Sequence, residues 1–464
     1  MDFIENRIFD EIAIGDSACI ERTLSRKDIE LFAVMSGDVN PTHLDTEYAA
    51  QTDFHQIIGH GMWGGALISS VLGTQLPGPG TIYLDQSLRF EKPVAVGDTV
   101  CVRVTATEKQ ADSGRVVFDC RVSDTRDTTL ISGTATVRAP REKVRRPRAV
   151  LPEITLHSGG GRFRALIERT RAYDPVDTAV VHPCDVESLR GALLARDETI
   201  ITPILVGPRA RIDAAAGEAG LSLDGVEVID VAHSHAAAER AVQLVREGRV
   251  RALMKGKLHT DELLSAVLDR NTGLRTERRL SHVFALEVPG YPRTLLITDA
   301  AINIAPDLET LADIVRNAIE LAVSMGTALP RVALLSAIET VNARLPSTLN
   351  AAAICKMHDR GQIVGGLVDG PLAFDNAISA SAARAKGIES PVAGQADVLV
   401  APNLESGNMI AKQLIHMAGA ESAGIALGAR VPIMLTSRSD NAQARLASAA
   451  LAQLHVTART AAAD

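Results

Sequence analysis

Two side chains that can exchange a proton with water stand five residues apart near the start of the chain. Asp38 follows Gly37, which suits a helix end, and His43 comes two residues after Pro41, which forbids continuation of the helix. Pro41 also holds Asn40 extended. A carboxylate and an imidazole in such a constrained loop can deprotonate a water and return a proton to a substrate. The alternative interpretation is a turn-capping aspartate beside a surface histidine.

A second feature lies downstream, where His60-Gly61-Met62 begins an uncharged helical stretch. The amide groups at a helix N-terminus carry partial positive charge and can stabilise the oxygen of an enolate forming on a thioester. Gly61 is therefore a candidate substrate-binding residue.

A hydroxyl, a guanidinium and a carboxylate follow a predicted buried strand near the end of the chain. Ser437, Arg438 and Asp440 come after the apolar run Val431–Leu435 and precede an Ala-rich helix. The carboxyl end of a strand beside a helix start suits anion binding and proton abstraction. The alternative is that Ser439 or Asp440 only caps the helix, with Arg438 exposed.

Polar residues end two other predicted strands. Lys255 and Lys257 follow one of them, and Asn403, Gly407 and Asn408 lie between another strand and a helix. Ordinary loops and helix caps explain each segment separately. Together, polar loops at strand ends favour a cleft that binds phosphate groups.

The front of the chain has the pattern of an antiparallel sheet with one buried face. Short alternating segments are separated by turn residues, and helices are predicted at 26–36 and 61–75. A sheet wrapped around one long helix buries both. The strands are predicted at Ser87–Phe90, Thr99–Thr105, Val116–Val122 and Ile131–Val137.

After residue 162, apolar strands alternate with amphipathic helices, which predicts an α/β, parallel, doubly wound sheet. About 300 residues exceed one such unit, so two lobes with a cleft are expected. The strands are predicted at Thr178–Val181, Ile200–Val206, Val226–Val231, Ala252–Met254, Thr294–Ile297, Val332–Leu335, Val398–Val400 and Ile433–Leu435.

A basic, proline-containing stretch separates the two patterns. We predict a front domain at 1–140, a linker at 141–161 and a back domain at 162–464, whose second lobe spans roughly 300–430. The formal net charge of −8 argues against nucleic-acid binding. Five scattered cysteines without a CxxC pair, an acidic start and interrupted apolar runs indicate a soluble cytoplasmic protein without a membrane span. No residue set has metal-ligand spacing.

The segments FAVMSGDVNPTHLDTEYA and IIGHGM resemble the MaoC-like, R-specific enoyl-CoA hydratases of the hot-dog fold, an α+β architecture. The resemblance covers roughly residues 10–138. It implies that Asp38 and His43 activate the water that adds across a trans-2-enoyl-CoA, that Asn40 fixes the loop and that Gly61 lies near the thioester oxygen. Because hot-dog domains commonly pair, a homodimer or larger homo-oligomer is expected.

Most of the back half resembles the phosphate acetyl/butyryl transferase family, in MKGKLHTDELLSAVLDRNTGLRT, LSHVFALEV, TDAAINIAPDLETL, PVAGQADVLVAPNLESGNMIAKQL and LTSRSD. The resemblance implies that Asp440 deprotonates the thiol of coenzyme A, that Ser437 stabilises the tetrahedral oxyanion and that Arg438 holds the acyl phosphate. The spacing from Arg438 to Asp440 is shorter than in acetyl enzymes, which weakens the assignment of Asp440 as the base. Asp299 and Asp369 are further, weaker candidates for that role. The substrate-binding residues implied are Lys255, Lys257, Ser281, His282, Asn403, Gly407 and Asn408.

The resemblances together imply a bifunctional enzyme that hydrates short enoyl-CoA esters and transfers short acyl groups between coenzyme A and inorganic phosphate. Coenzyme A and its thioesters would be substrates, with no metal or permanently bound cofactor. The alternative is that only one domain is catalytic and the other senses acyl-CoA or supports oligomerisation.

Overall fold

A computed structural model of the chain describes residues 3–151, 154, 161–436 and 440–463. Contacts divide the chain into a front unit, Met1–Leu156, and a back unit, His157–Asp464. Within the described residues, none of the helices has both the length and the apolar character required to traverse a bilayer.

The front unit is built on antiparallel strands. They are β1 (Phe3–Glu5), β2 (Ser17–Thr23), β3 (Ile82–Phe90), β4 (Thr99–Gln110), β5 (Arg115–Asp124), β6 (Thr129–Arg138) and β7 (Arg145–Pro147). Five strands form one sheet in the order β2-β4-β5-β6-β3. The short strand β7, within the stretch predicted as a linker, pairs with β1.

One long helix fills the concave face of this sheet. The front helices are α1 (Arg26–Ser36), α2 (Pro41–Leu44), α3 (Thr46–Ala50) and α4 (Gly61–Thr74). Alternate residues of β4, namely Val100, Val102 and Val104, are buried in one core with Ile68 and Val71 of α4. Since alternate side chains share a face of a strand, the predicted hot-dog arrangement of a sheet around a helix is confirmed.

Local signals fix the loop that follows α1. The Ser25 hydroxyl accepts a hydrogen bond from the Asp28 amide at 3.1 Å and begins the helix. Gly37 ends it with a left-handed φ of 75°, and Pro41 is the first residue of α2. The predicted helix end and restart are therefore present, and they leave Asp38 and Asn40 between two helices.

The back unit carries one large sheet. Its strands are β8 (Val176–Val181), β9 (Ile201–Gly207), β10 (Glu227–Asp230), β11 (Ala252–Lys255), β12 (Ser281–Glu287), β13 (Leu295–Thr298), β14 (Arg331–Leu335), β15 (Leu367–Leu372), β16 (Val398–Val400), β17 (Glu421–Leu427) and β18 (Ile433–Met434). The eleven strands follow the order β10-β9-β8-β11-β18-β17-β12-β13-β16-β14-β15. Eight of the runs predicted from sequence fall on these strands, whereas β12, β15 and β17 were missed.

The sheet is mixed rather than wholly parallel. The block from β10 to β18 is parallel, and so is the block from β13 to β15. Between them, β17 and β12 pair antiparallel with their neighbours. The two blocks consequently run in opposite directions, and the carboxyl ends of their strands approach each other at the middle of the sheet. Thr298 at the end of β13 and Met434 at the end of β18 are both level with the Val283–Ile425 pair of the central strands.

Helices cover both faces, which confirms the α/β doubly wound class. They are α5 (Gly161–Thr170), α6 (Val186–Asp197), α7 (Arg209–Ala219), α8 (Ser234–Arg246), α9 (Thr260–Val267), α10 (Leu308–Ser324), α11 (Pro346–Asp359), α12 (Phe374–Ile378), α13 (Ala380–Ala385), α14 (Leu404–Met417) and α15 (Ala442–Ala463). On one face a single core joins Met254, Ile425 and Val398 across both blocks. On the other face Leu253 and Phe284 belong to two separate cores. This interruption at β17 and β12 divides that face in two.

Candidate active sites

In the front unit, Asp38 lies just after the left-handed end of α1 and is exposed. Its carboxylate accepts a hydrogen bond from the Asn40 amide at 3.3 Å. The Asn40 side chain in turn accepts from the Thr42 amide at 3.1 Å and caps α2. The Asn40 side chain therefore fixes the start of α2.

The second predicted group, His43, is held by its ring. Its Nδ1 lies 2.8 Å from the carbonyl oxygen of Ile58. A carbonyl oxygen only accepts hydrogen bonds, so Nδ1 carries the proton. In the neutral ring, Nε2 is then left with a lone pair that can accept a proton from water.

A third ring, that of His60, joins these two residues. His60 is the N-cap residue of α4 and is only 4% exposed. Its ring centroid lies 4.0 Å from that of His43 and 4.9 Å from that of Phe32. Its Nε2 lies 3.0 Å from the carbonyl oxygen of Asp38 and donates to it. His60 thus fixes the backbone of one predicted catalytic residue and the ring of the other.

The three side chains converge on one point. One ligand-type atom each from Asp38, His43 and His60 lies within 4.8 Å of the others. This is room for a water or for the reacting carbons of a small substrate, and it is also a set that can coordinate a metal ion. Gly61 begins α4 beside it, and a Cβ at this position would be 3.0 Å from the Phe90 ring. The missing side chain leaves the helix N-terminus open.

In the back unit, the strands β11 and β18 are parallel neighbours, so their carboxyl ends meet. Lys255 ends β11 and is 3% exposed, while Thr436 follows β18 and is 4% exposed. Lys257, two residues further, is exposed. Ser437 and Arg438 lie outside the described residues. Asp440 is described and lies two residues before α15, which begins at Ala442.

A second group of predicted residues lies after β13 and β16, which run in the opposite direction to β11 and β18. Asp299 follows β13, and its carboxylate accepts from the amides of Ala301 and Ile302 at 2.9 and 3.1 Å. Asn408 donates to the Ala300 carbonyl at 3.0 Å, and a Cβ at Gly407 would be 2.3 Å from the Asp299 carbonyl oxygen. The loop at Asp299 is therefore packed tightly against the first turns of α14, and Gly407 and Asn408, which were expected before this helix, lie within it.

His282 lies between the two groups, on the divided face of the sheet. It is fully buried, and its Nε2 is 3.3 Å from the carbonyl oxygen of Leu435. Burial lowers the pKa of the His282 imidazole, while the Asp299 and Asp440 carboxylates act in the opposite direction. The imidazole of His282 is therefore close enough to both groups for their charges to affect its pKa. The neighbouring Ser281 hydroxyl is buried and accepts a hydrogen bond from Asn317 at 2.9 Å.

Several predicted residues have structural roles in addition to any binding. The side chain of Asn403 accepts from the Ser406 amide at 2.9 Å and caps α14. Asn441 accepts from the Ala444 amide at 2.9 Å, which makes it the residue that caps α15. The capping alternative weighed for Asp440 is thus filled by its neighbour. Asp369, a weaker candidate base, lies on the edge strand β15.

Comparison with known proteins places these sites in families. Residues 234–453 match the family described as Phosphate acetyl/butaryl transferase, and residues 15–127 match the MaoC like domain. A phosphate acetyltransferase of Rhizobium meliloti is 58% identical over 301 residues, which cover 65% of this chain and 95% of the relative. The chain belongs to the phosphate acetyl/butyryl transferase family. A MaoC-like hot-dog domain precedes its transferase region.

Proteins named for butyryl and branched-chain acyl groups also match the back half of the chain. A phosphate butyryltransferase of Clostridium acetobutylicum is 38% identical over 292 residues, covering 63% of this chain and 97% of the relative. The crystal structure of a branched-chain phosphotransacylase from Enterococcus faecalis V583 aligns with a TM-score of 0.54 and 32% identity, covering 61% of this chain and 99% of that one. The predicted family resemblance of the back half is confirmed.

Sequence reasoning missed three buried residues at the sites of this transferase-family chain. They are His60 in the front unit and His182 and Arg445 in the back unit. His182 follows β8, and its Nδ1 donates to the Lys257 carbonyl at 2.6 Å. Burial lowers the pKa of the His182 imidazole. None of the three belongs to a recognisable motif except His60, which stands beside the glycine that drew attention to α4.

Proposed function

We propose that the chain is a bifunctional enzyme acting on short acyl thioesters of coenzyme A. The back unit would transfer an acyl group reversibly between coenzyme A and inorganic phosphate. The front unit would hydrate short trans-2-enoyl-CoA. The convergence of Asp38, His43 and His60 within 4.8 Å is the observation that carries the hydratase assignment, and family membership carries that of the transferase.

For hydration, one of Asp38 and His43 takes a proton from a water held between them. The hydroxide adds to C3 of the enoyl group, and the other residue delivers a proton to C2. The unprotonated Nε2 of His43 suits the first task. The enolate oxygen that forms on the thioester faces the N-terminus of α4 at Gly61, whose amides and dipole stabilise negative charge.

For acyl transfer, a phosphate oxygen attacks the thioester carbonyl, and the thiolate of coenzyme A leaves. Arg438 holds the phosphate, Ser437 stabilises the tetrahedral oxyanion, and Asp440 exchanges the thiol proton. These three roles rest on the family resemblance of LTSRSD. The adjacent carboxyl ends of β11 and β18 support these roles, since Lys255, at the end of β11, brings a cation to the strand end that precedes the motif.

The proposed function also includes the domain bounds, the binding residues, the location and the oligomeric state of the enzyme. We propose domains at 1–140 and 162–464, substrate-binding roles for Lys255, Lys257 and His282, a cytoplasmic location and a homodimer or larger homo-oligomer. Coenzyme A esters and phosphate are the partners, and no permanently bound cofactor is required. The product of hydration is still a thioester of coenzyme A, which is the bond that the proposed transferase reaction cleaves.

The test uses the full chain with two variants, assayed for both reactions. His43→Ala should abolish hydration of crotonyl-CoA, followed by loss of enoyl absorbance, and leave acyl transfer unchanged. Arg438→Ala should eliminate acyl phosphate formation from acetyl- or butyryl-CoA and phosphate, and leave hydration unchanged. Each variant serves as the folding control for the other.

Other results would change the assignment. If wild-type protein catalyses only one reaction, the second unit is an acyl-CoA-sensing or oligomerisation module. Hydration that persists in His43→Ala would remove the Asp/His mechanism, and acyl transfer that persists in Arg438→Ala would remove the phosphate-holding role. A series of acetyl-, propionyl-, butyryl- and crotonyl-CoA would establish the acyl chain preference.

A further inference from the structure

A buried arginine joins the ends of the two strands that carry the transferase segments. Arg445, on the first turn of α15, is 4% exposed. Its Nη1 donates to the carbonyl oxygen of Lys255 at 3.1 Å and to the hydroxyl of Thr436 at 2.8 Å. Lys255 ends β11, and Thr436 immediately precedes Ser437. One guanidinium group therefore spans the two strand ends.

The surroundings of Arg445 form a socket for this side chain. A Cβ at Gly191, on α6, would lie 2.5 Å from the Cδ atom of Arg445. The absence of a side chain at Gly191 thus provides the space that the stem of Arg445 occupies. The contact lies on the single-core side of the sheet, where α6 and α15 pack together.

The charge of Arg445 is costly at this position. Burial lowers the pKa of the guanidinium, and the carboxylates of Asp185, Asp440 and Glu187 act against that effect. Its Nε has no hydrogen-bond partner among the described residues. A buried charge is weak evidence for stability, since even buried ion pairs are often replaced by apolar side chains of similar volume without loss. The hydrogen bonds that Arg445 donates to the two strand ends therefore explain its buried charge better than stability does.

We propose that Arg445 is a positioning residue of the transferase site. It fixes Thr436, at the end of β18, relative to Lys255, at the end of β11. This inference rests on the proposed acyl transfer. Arg445 does not touch substrate. Its two hydrogen bonds hold the ends of β11 and β18 in register, and small displacements at a reaction site reduce turnover strongly.

The experiment measures steady-state acyl phosphate formation by the full chain in four variants. Arg445→Met, which keeps the volume but not the donors, should lower kcat by about 10- to 100-fold, as expected for a lost charge-assisted hydrogen bond. KM for acyl-CoA should stay within about twofold, because no substrate contact is removed. Arg445→Lys should recover part of kcat. Thr436→Val should lower kcat by about 3- to 10-fold.

The control is Arg209→Met, which removes an exposed arginine that pairs with Asp213 on α7 and should leave kcat unchanged. Wild-type turnover in Arg445→Met would overturn the proposal, as would equal losses in the Met and Lys variants, because a structural role alone predicts no rescue. If Arg445→Met does not fold, Thr436→Val decides, and an unchanged kcat there overturns the proposal. Wild-type protein without transferase activity contradicts the proposed function instead.

Discussion

Substitution of His60 separates two contacts that hold the proposed hydratase residues. His60→Phe keeps a ring between Phe32 and His43 but removes the donor to the Asp38 carbonyl. His60→Gln keeps an amide donor but removes both ring contacts, whose centroids lie 4.0 and 4.9 Å away. The pair of variants therefore measures the hydrogen bond and the ring packing independently.

The expected magnitudes follow from these contacts. One hydrogen bond contributes about 0.5–1.5 kcal/mol, so His60→Phe should lower kcat for crotonyl-CoA hydration by about 2- to 13-fold. Each ring pair contributes about 0.5–1.5 kcal/mol, so two lost pairs in His60→Gln correspond to about 5- to 150-fold. The exposed Asp38 carbonyl can be rehydrated, which keeps the first effect small.

The assay is the loss of enoyl absorbance at saturating crotonyl-CoA, with thermal unfolding of each variant as a folding check. His55→Asn is the matched control, because His55 is an exposed histidine of the same unit and its φ of 56° is one that asparagine tolerates. Wild-type rates in both His60 variants would refute the positioning argument. A larger loss in His60→Phe than in His60→Gln would refute the ranking of the two contacts.

Two further outcomes concern stability. Gly407→Ala would put a Cβ 2.3 Å from the Asp299 carbonyl oxygen, so the free energy of unfolding should fall by about 1–3 kcal/mol in urea titrations. Gly217→Ala, whose added Cβ would have nothing within 4 Å in the last turn of α7, should be neutral or stabilising, and equal effects would contradict the packing argument. Burial lowers the pKa of His455 to about 4, so between pH 6.5 and 4 the unfolded chain binds a proton that the folded chain does not. Unfolding free energy should therefore decrease as pH falls through this window, by at most about 1.4 kcal/mol per pH unit from this group, and an unchanged slope in His455→Leu would contradict the assignment.

The sequence predicted those parts of the fold that near neighbours determine. The capping pair Ser25 and Asp28, the left-handed Gly37 and the helix-starting Pro41 each act within one turn of the backbone. Buried parallel strands were also predicted, because their apolar runs are continuous. The antiparallel direction of β12 and β17 was not, since strand direction depends on pairing between segments more than 100 residues apart.

The location of the candidate site residues shows the same limit. Lys255 was expected at a strand end and lies there, beside Thr436 at the end of the neighbouring strand β18. Asn403 and Gly407 follow a strand that runs the other way, and its carboxyl end is nevertheless level with that of β18. Whether polar loops after two strands face the same cleft depends on the direction and register of the strands between them, which the separate segments do not show.

The residues that sequence reasoning missed share one physical property. His60, His182 and Arg445 are buried, and each donates to a backbone carbonyl, of Asp38, Lys257 and Lys255 respectively. Every residue has a carbonyl oxygen, so such a contact places no requirement on the type of the residue that accepts it. Motifs reveal side chains that act together, as the carboxylate and imidazole of a general acid–base pair do. His182 and Arg445 belong to no such pattern, and although His60 stands in the IIGHGM segment, its hydrogen bond to the Asp38 carbonyl is identified only by the folded geometry.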